Sequence, residues 1–127
     1  MGTPSMIGIY NEDGSVTASY CHYDGYLEHN GRMLVEHYNT QYDAEMVAKG
    51  GYLSGLTEDY MESRQKAVHK DPAIVYDSVV TFLKYGDRHA GANYLYLFDG
   101  KAWFFTDTAT SRADRRFEEV EMNLKVK

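Results

Sequence analysis

ANYLYLFDGKAWFFT, residues 92–106, reads as two strands meeting at Asp99-Gly100, a dipeptide that favours a hairpin because glycine accepts positive φ. Along Ala92 to Phe98 the side chains of Tyr94, Tyr96 and Phe98 point to one face and those of Leu95 and Leu97 to the other. Bulky apolar groups on both faces imply a central hairpin, or one covered on both sides. The second strand of the pair runs from Lys101 to Thr106.

Downstream, residues 107–116 form a polar connection carrying Arg112, Arg115 and Arg116. Val120, Met122, Leu124 and Val126 then alternate with Glu121, Asn123 and Lys125, a period of two that predicts a fifth strand. At the other end of the chain, Met6 to Tyr10 and Ser15 to Cys21 flank Asn11-Glu12-Asp13-Gly14 and predict another hairpin. Its core face is expected to hold Ile7 and Ile9 with Val16, Ala18 and Tyr20.

Helical signals fill the middle. Met33, Leu34 and Tyr38 recur at helical spacing after Asn30, a suitable N-cap, and Asn39 ends that segment. Thr40 with Asp43 approximates a capping box for a second helix that stops at Gly50-Gly51. Thr57 opens a third helix to about Ala67. Asp71-Pro72, or else Asp77, opens a fourth, with Val75, Val79, Phe82 and Leu83 on its apolar stripe up to Gly86. The order ββ, helices, βββ predicts one α+β domain spanning 1–127. Its expected form is an antiparallel sheet of about five strands with the helices packed on one face. No βαβ alternation supports a Rossmann-type sheet.

Composition bounds the class. A chain of 127 residues, 43% hydrophobic and 25% charged, suits one independent core. Its apolar runs are far shorter than the ~20 residues that span a bilayer. The N-terminus lacks a basic, apolar leader, and Cys21, the single cysteine, has no internal disulfide partner; both place the chain in a reducing cytoplasm. The chain is acidic, with net charge −6. Residues 1–62 carry ten Asp and Glu against two Lys and Arg, whereas residues 63–127 carry nine against eleven. An acidic half disfavours phosphate backbones and anionic membranes, so direct nucleic-acid or membrane binding is not expected, and it is compatible with a basic partner surface. Tyrosine is in excess, twelve against five Phe and one Trp.

Functional side chains concentrate in YCHYDGYLEHNG, residues 20–31. Cys21, His22, Asp24, Glu28 and His29 are interleaved there with Tyr20, Tyr23 and Tyr26. A strand end passing through a glycine-containing loop into a helix suits an anion, although no Gly-Lys-Ser/Thr marks a P-loop. A metal site would use Cys21 or His22 with Asp24 and His29, at a spacing that matches no zinc signature; no metal or other cofactor is expected. A hydrolase would use His22 as base, oriented by Asp24 or Glu28, or Cys21 as nucleophile beside His29. The structural counterpart has Asp24 capping a turn, Gly25 at positive φ and Cys21 packed as a small hydrophobe. Arg112, Arg115 and Arg116, with Arg88 and His89, could grip a phosphorylated ligand or form a solvated loop. Trp103, Phe104 and Phe105 could stack a base but fit a core strand better.

YCHYDGYLEHNG with the following MLVEHYN (33–39), and YLYLFDGKAWFF (94–105), resemble a family of small uncharacterised tailed-bacteriophage proteins that share a Tyr-Cys-His-aromatic-Asp-Gly-Tyr stretch. The likeness covers residues 6–56 and 77–105 and departs at Leu27, where the family often has proline. It implies a phage accessory protein working in the host cytoplasm. On that context we expect a non-enzymatic protein that binds a host protein or a small nucleotide signal and counters antiviral defence. The expected contacts are Tyr20, His22, Tyr23, Asp24, Tyr26, Glu28 and His29, with Arg112 and Arg115. A homodimer is left open, and the alternative is a small metal- or His-dependent hydrolase or nuclease using the 20–31 loop.

Overall fold

The computed structural model describes residues 2–125. Six strands form one sheet: β1 (Ser5–Tyr10), β2 (Val16–Cys21), β3 (Ile74–Tyr76), β4 (Tyr94–Phe98), β5 (Trp103–Asp107) and β6 (Glu118–Glu119), in the order β3-β2-β1-β4-β5-β6. The class is α+β, with six strands rather than about five. All neighbours are antiparallel except β1 and β4, which run parallel from Ser5 opposite Tyr94 to Ile9 opposite Phe98. The helices are α1 (Arg32–His37), α2 (Gln41–Lys49), α3 (Tyr60–Gln65), α4 (Val79–Tyr85) and α5 (Val120–Lys125).

Both faces of the sheet are covered, not one. Ile7, Ile9, Tyr96, Phe98 and Trp103 pack with Leu34 of α1, Ala44 and Val47 of α2 and Val120 of α5. Met6, Val16, Ala18, Leu95 and Leu97 pack on the opposite face around Phe82 of α4. The doubly apolar strand Tyr94–Phe98 therefore lies between two cores, as its side chains require. The first hairpin divides differently from expectation. Tyr10 pairs with Val16, which places Ile7 opposite Ser19 and Ile9 opposite Thr17, so the isoleucines face away from Val16, Ala18 and Tyr20. Met6 and Gly8 share the second face instead. A Cβ on Gly8 would lie 3.0 Å from Val16 and 3.2 Å from the Phe82 ring, so the missing side chain is what lets Phe82 settle on the strand.

Three helix boundaries also move. A π-helical turn, Leu27–Gly31, leads into α1, so Asn30 is buried inside a turn and is not a cap. Thr40 caps α2 as expected, accepting from the Asp43 amide at 3.1 Å, while α3 is capped by Asp59 and not Thr57. Helix α4 starts neither at Pro72 nor at Asp77: Ile74–Tyr76 pair with β2, and Ser78 caps the helix by accepting from the Thr81 amide at 3.1 Å. The expected fifth strand at 120–126 is the helix α5 after the two-residue β6. Val120 is fully buried and Leu124 packs beside it, one helical turn on, while Met122 faces solvent; Val126 lies outside the described residues. Trp103 is core, its indole N–H donating to the Tyr38 carbonyl at 3.0 Å. Among the described residues no helix is long and apolar enough to cross a membrane.

Candidate functional site

The exit of β2 builds a concavity. Gly51, at φ +95, turns the chain out of α2 so that residues 52–54 run alongside the end of the strand. The Leu53 amide donates to the Tyr20 carbonyl at 2.9 Å, the His22 amide to Leu53 at 3.0 Å and the Tyr23 amide to Ser54 at 2.8 Å. Strand alternation then sends Cys21 and Leu53 into the first core, both fully buried. Tyr20, His22, Tyr52 and Ser54 are left on the opposite face, where they line a cleft of about 690 Å³. Residues 66–73 form a strap along its far side, tied down where the Tyr52 amide donates to the Asp71 carbonyl at 2.8 Å and the Val68 amide to Ser54 Oγ at 3.2 Å. Lys66, His69 and Asp71 line the cleft from the strap, and His89 lines it from the turn after α4.

One wall is a continuous run of rings. His69 meets Tyr52 edge-on at 5.1 Å, Tyr52 meets Tyr20 at 5.7 Å, Tyr20 meets His22 at 5.8 Å, and His22 meets Tyr23 at 4.5 Å. Tyr20 Oη and His22 Nδ1 are hydrogen-bonded at 2.8 Å. Partial burial, helped by Tyr52 and Cys21, pushes the Tyr20 phenol above its ordinary range, so it keeps its proton.

The other residues of the 20–31 loop do different work. Asp24 itself takes the left-handed conformation, at φ +60, and its carbonyl accepts from Asn30. Gly25 is needed for space and not for φ: a Cβ there would fall 2.5 Å from the Thr3 carbonyl oxygen. The Tyr96 hydroxyl donates to the Gly25 carbonyl at 2.6 Å and anchors the loop to β4. Tyr26 and His29 contact each other, with ring centroids 6.2 Å apart, and His29 Nδ1 is bonded to Asn30 Oδ1. Asp24, Tyr26, Glu28 and His29 do not line the cleft.

Arg112 and Arg115 do not reach it either. Arg115 is buried, donating to the carbonyls of Leu83, Lys84, Thr108 and Thr110 and to both carboxylate oxygens of Asp87. Arg112 bonds to the Lys84 carbonyl, pairs with Asp87 and lies over the Tyr85 ring. Together they tie the 107–116 connection to the end of α4. Sequence reasoning missed Tyr52, Lys66, His69 and Asp71, which belong to a segment read as a turn, to two helix termini and to the stretch between them. Their convergence depends on the 52–54 bridge, for which no local signal exists.

The geometry bears on chemistry. Burial pushes the Cys21 thiol up to about 11, against a partial counter-effect from Asn30, so it is not a thiolate nucleophile at neutral pH. His22 is hydrogen-bonded through Nδ1 to a phenol, that of Tyr20. Among the described residues no three His, Cys, Asp or Glu side chains are grouped to hold a metal ion. Comparison with protein-family models, curated proteins and solved structures finds no match.

Proposed function

We propose that the chain is a non-enzymatic binding protein, a phage accessory protein that engages a host factor in the host cytoplasm and counters antiviral defence. Of the two kinds of host factor, the geometry favours a small nucleotide over a protein. The observation that carries this reading is the uninterrupted row of five rings, His69 to Tyr23, along one wall of a cleft of about 690 Å³. That volume falls in the range of about 300–1,000 Å³ that small-molecule sites occupy. Aromatic walls suit nucleobases, each stacked base being worth roughly 1–3 kcal/mol. A protein partner would call for a convex patch of Tyr23, Tyr26 and Glu28. Tyr23, 46% exposed, turns its ring onto His22 at the cleft, while Tyr26, 38% exposed, packs against His29.

The test is native mass spectrometry of the protein purified from host lysate, followed by calorimetry with the recovered nucleotide. We expect a nucleotide at one per chain, and at least tenfold weaker binding by Tyr20→Leu with an unchanged circular dichroism spectrum. A stoichiometric host protein with an empty cleft would overturn the reading. Turnover of the bound nucleotide, abolished by His22→Ala, would replace it with the hydrolase alternative.

A further inference from the structure

The charge around the cleft narrows the class of nucleotide. Its permanent charges are one of each sign, Lys66 and Asp71, both on the strap. The other ionisable groups that face it are imidazoles and phenols. The end of β2 contributes Tyr20, His22 and Tyr23, the 52–54 segment Tyr52, the strap His69, and the turn after α4 His89. No guanidinium joins them. Arg112 and Arg115 are held by Asp87 and backbone carbonyls, and Arg64 donates to the Tyr52 carbonyl at 2.9 Å.

A polyphosphate brings several negative charges, and charge taken out of water without compensation is strongly disfavoured. Lys66, which pairs with Glu62 at 3.7 Å and is offset by Asp71, cannot compensate a triphosphate. A phosphodiester carries one negative charge per phosphate, and imidazole N–H groups can donate to it whether or not the ring is charged. We propose, on the reading that the cleft holds a nucleotide, that its ligand is a phosphodiester nucleotide. Its base lies along the Tyr20 ring, the Tyr52 ring behind it being only 8% exposed, and its phosphate is recognised by the imidazoles of His22, His69 and His89 together with Lys66.

This arrangement has a signature that a merely aromatic cleft lacks. A phosphodiester carries a charge that its parent nucleoside lacks, so imidazole N–H donors and an ammonium lining the cleft separate the two, whereas rings alone do not. Affinity for the phosphodiester therefore exceeds that for its nucleoside, and the excess depends on the imidazoles.

Calorimetry on the full chain decides the matter. The probes are cyclic mononucleotides and cyclic dinucleotides of each base, the parent nucleosides and the 5′-triphosphates. The expected result is a phosphodiester bound more tightly than its nucleoside or triphosphate, with His69→Leu, at an exposed position, bringing its affinity towards that of the nucleoside. A triphosphate that binds more tightly, a nucleoside that binds equally, or a phosphodiester whose affinity His69→Leu leaves unchanged would overturn the inference and leave nucleotide binding intact. If no probe of any class binds, the nucleotide reading itself falls.

Discussion

Arg115 and Asp87 form a pair whose consequence is structural. The Arg115 side chain is 3% exposed and that of Asp87 17%, and their oxygens and nitrogens meet at 3.0 Å. Burial pushes the Asp87 carboxyl up, but the hydrogen bonds and charge of Arg115, with Arg112, outweigh it, and the group ionises below its ordinary value of 3.8. A carboxyl with a folded value below its unfolded one stabilises the protein fully above the unfolded value, and that contribution is lost as pH falls through the folded value. Urea unfolding of Asp87→Asn should thus show lower stability than wild type at pH 7, with the gap closing below about pH 3.8. Arg115→Met, which leaves Asp87 and several carbonyls unpaired, should lose about 3 kcal/mol at pH 7. At Cys21 the buried thiol should resist thiol reagents at pH 8 in the native protein and react only as fast as the chain unfolds. Rapid native labelling would show that the 20–31 loop opens on its own.

Among the elements, α5 shows how a correct pattern can carry the wrong period. Val120, Met122 and Leu124 satisfy alternation, yet Val120 and Leu124 also satisfy i, i+4, and only burial decides between the two. The helix makes Met122 a solvent residue, 57% exposed, while Val120 is fully buried. Met122→Lys should therefore change stability by less than about 0.5 kcal/mol, and Val120→Ala should cost about 2 kcal/mol, read from urea midpoints; an equal penalty at both sites would favour a strand. Strands Tyr94–Phe98 and Trp103–Asp107, the Thr40 cap and the α+β class were legible because each rests on local chemistry: alternation, an Asp-Gly turn, a hydroxyl three residues before its amide. The face assignment in the first hairpin was not, since it depends on the five-residue connection between Tyr10 and Val16, which no composition rule counts. Nor was the cleft. Tyr20, His22 and Tyr23 could be singled out by their company, but His69 and Tyr52 join them only through long-range backbone pairing.

Over the whole molecule, β1 and β4 belong to both cores at once, so damage to one face should be felt on the other. Trp103, the single tryptophan, reports on the first core, and Phe82 lies in the second. Phe82→Ala should lower stability by about 3–5 kcal/mol, with Trp103 fluorescence and circular dichroism moving together in a single transition. Separate midpoints would mean that the two faces unfold independently. The parallel pairing of β1 with β4 also sets an order of events during synthesis. Ser5 leaves the ribosome about ninety residues before Tyr94, its neighbour in the finished sheet. At ~5–20 residues per second, β1 waits roughly 5–20 s with one edge unpaired. Throughout that interval the nascent chain exposes an apolar strand edge, which leaves its yield sensitive to anything that slows elongation between residues 22 and 93.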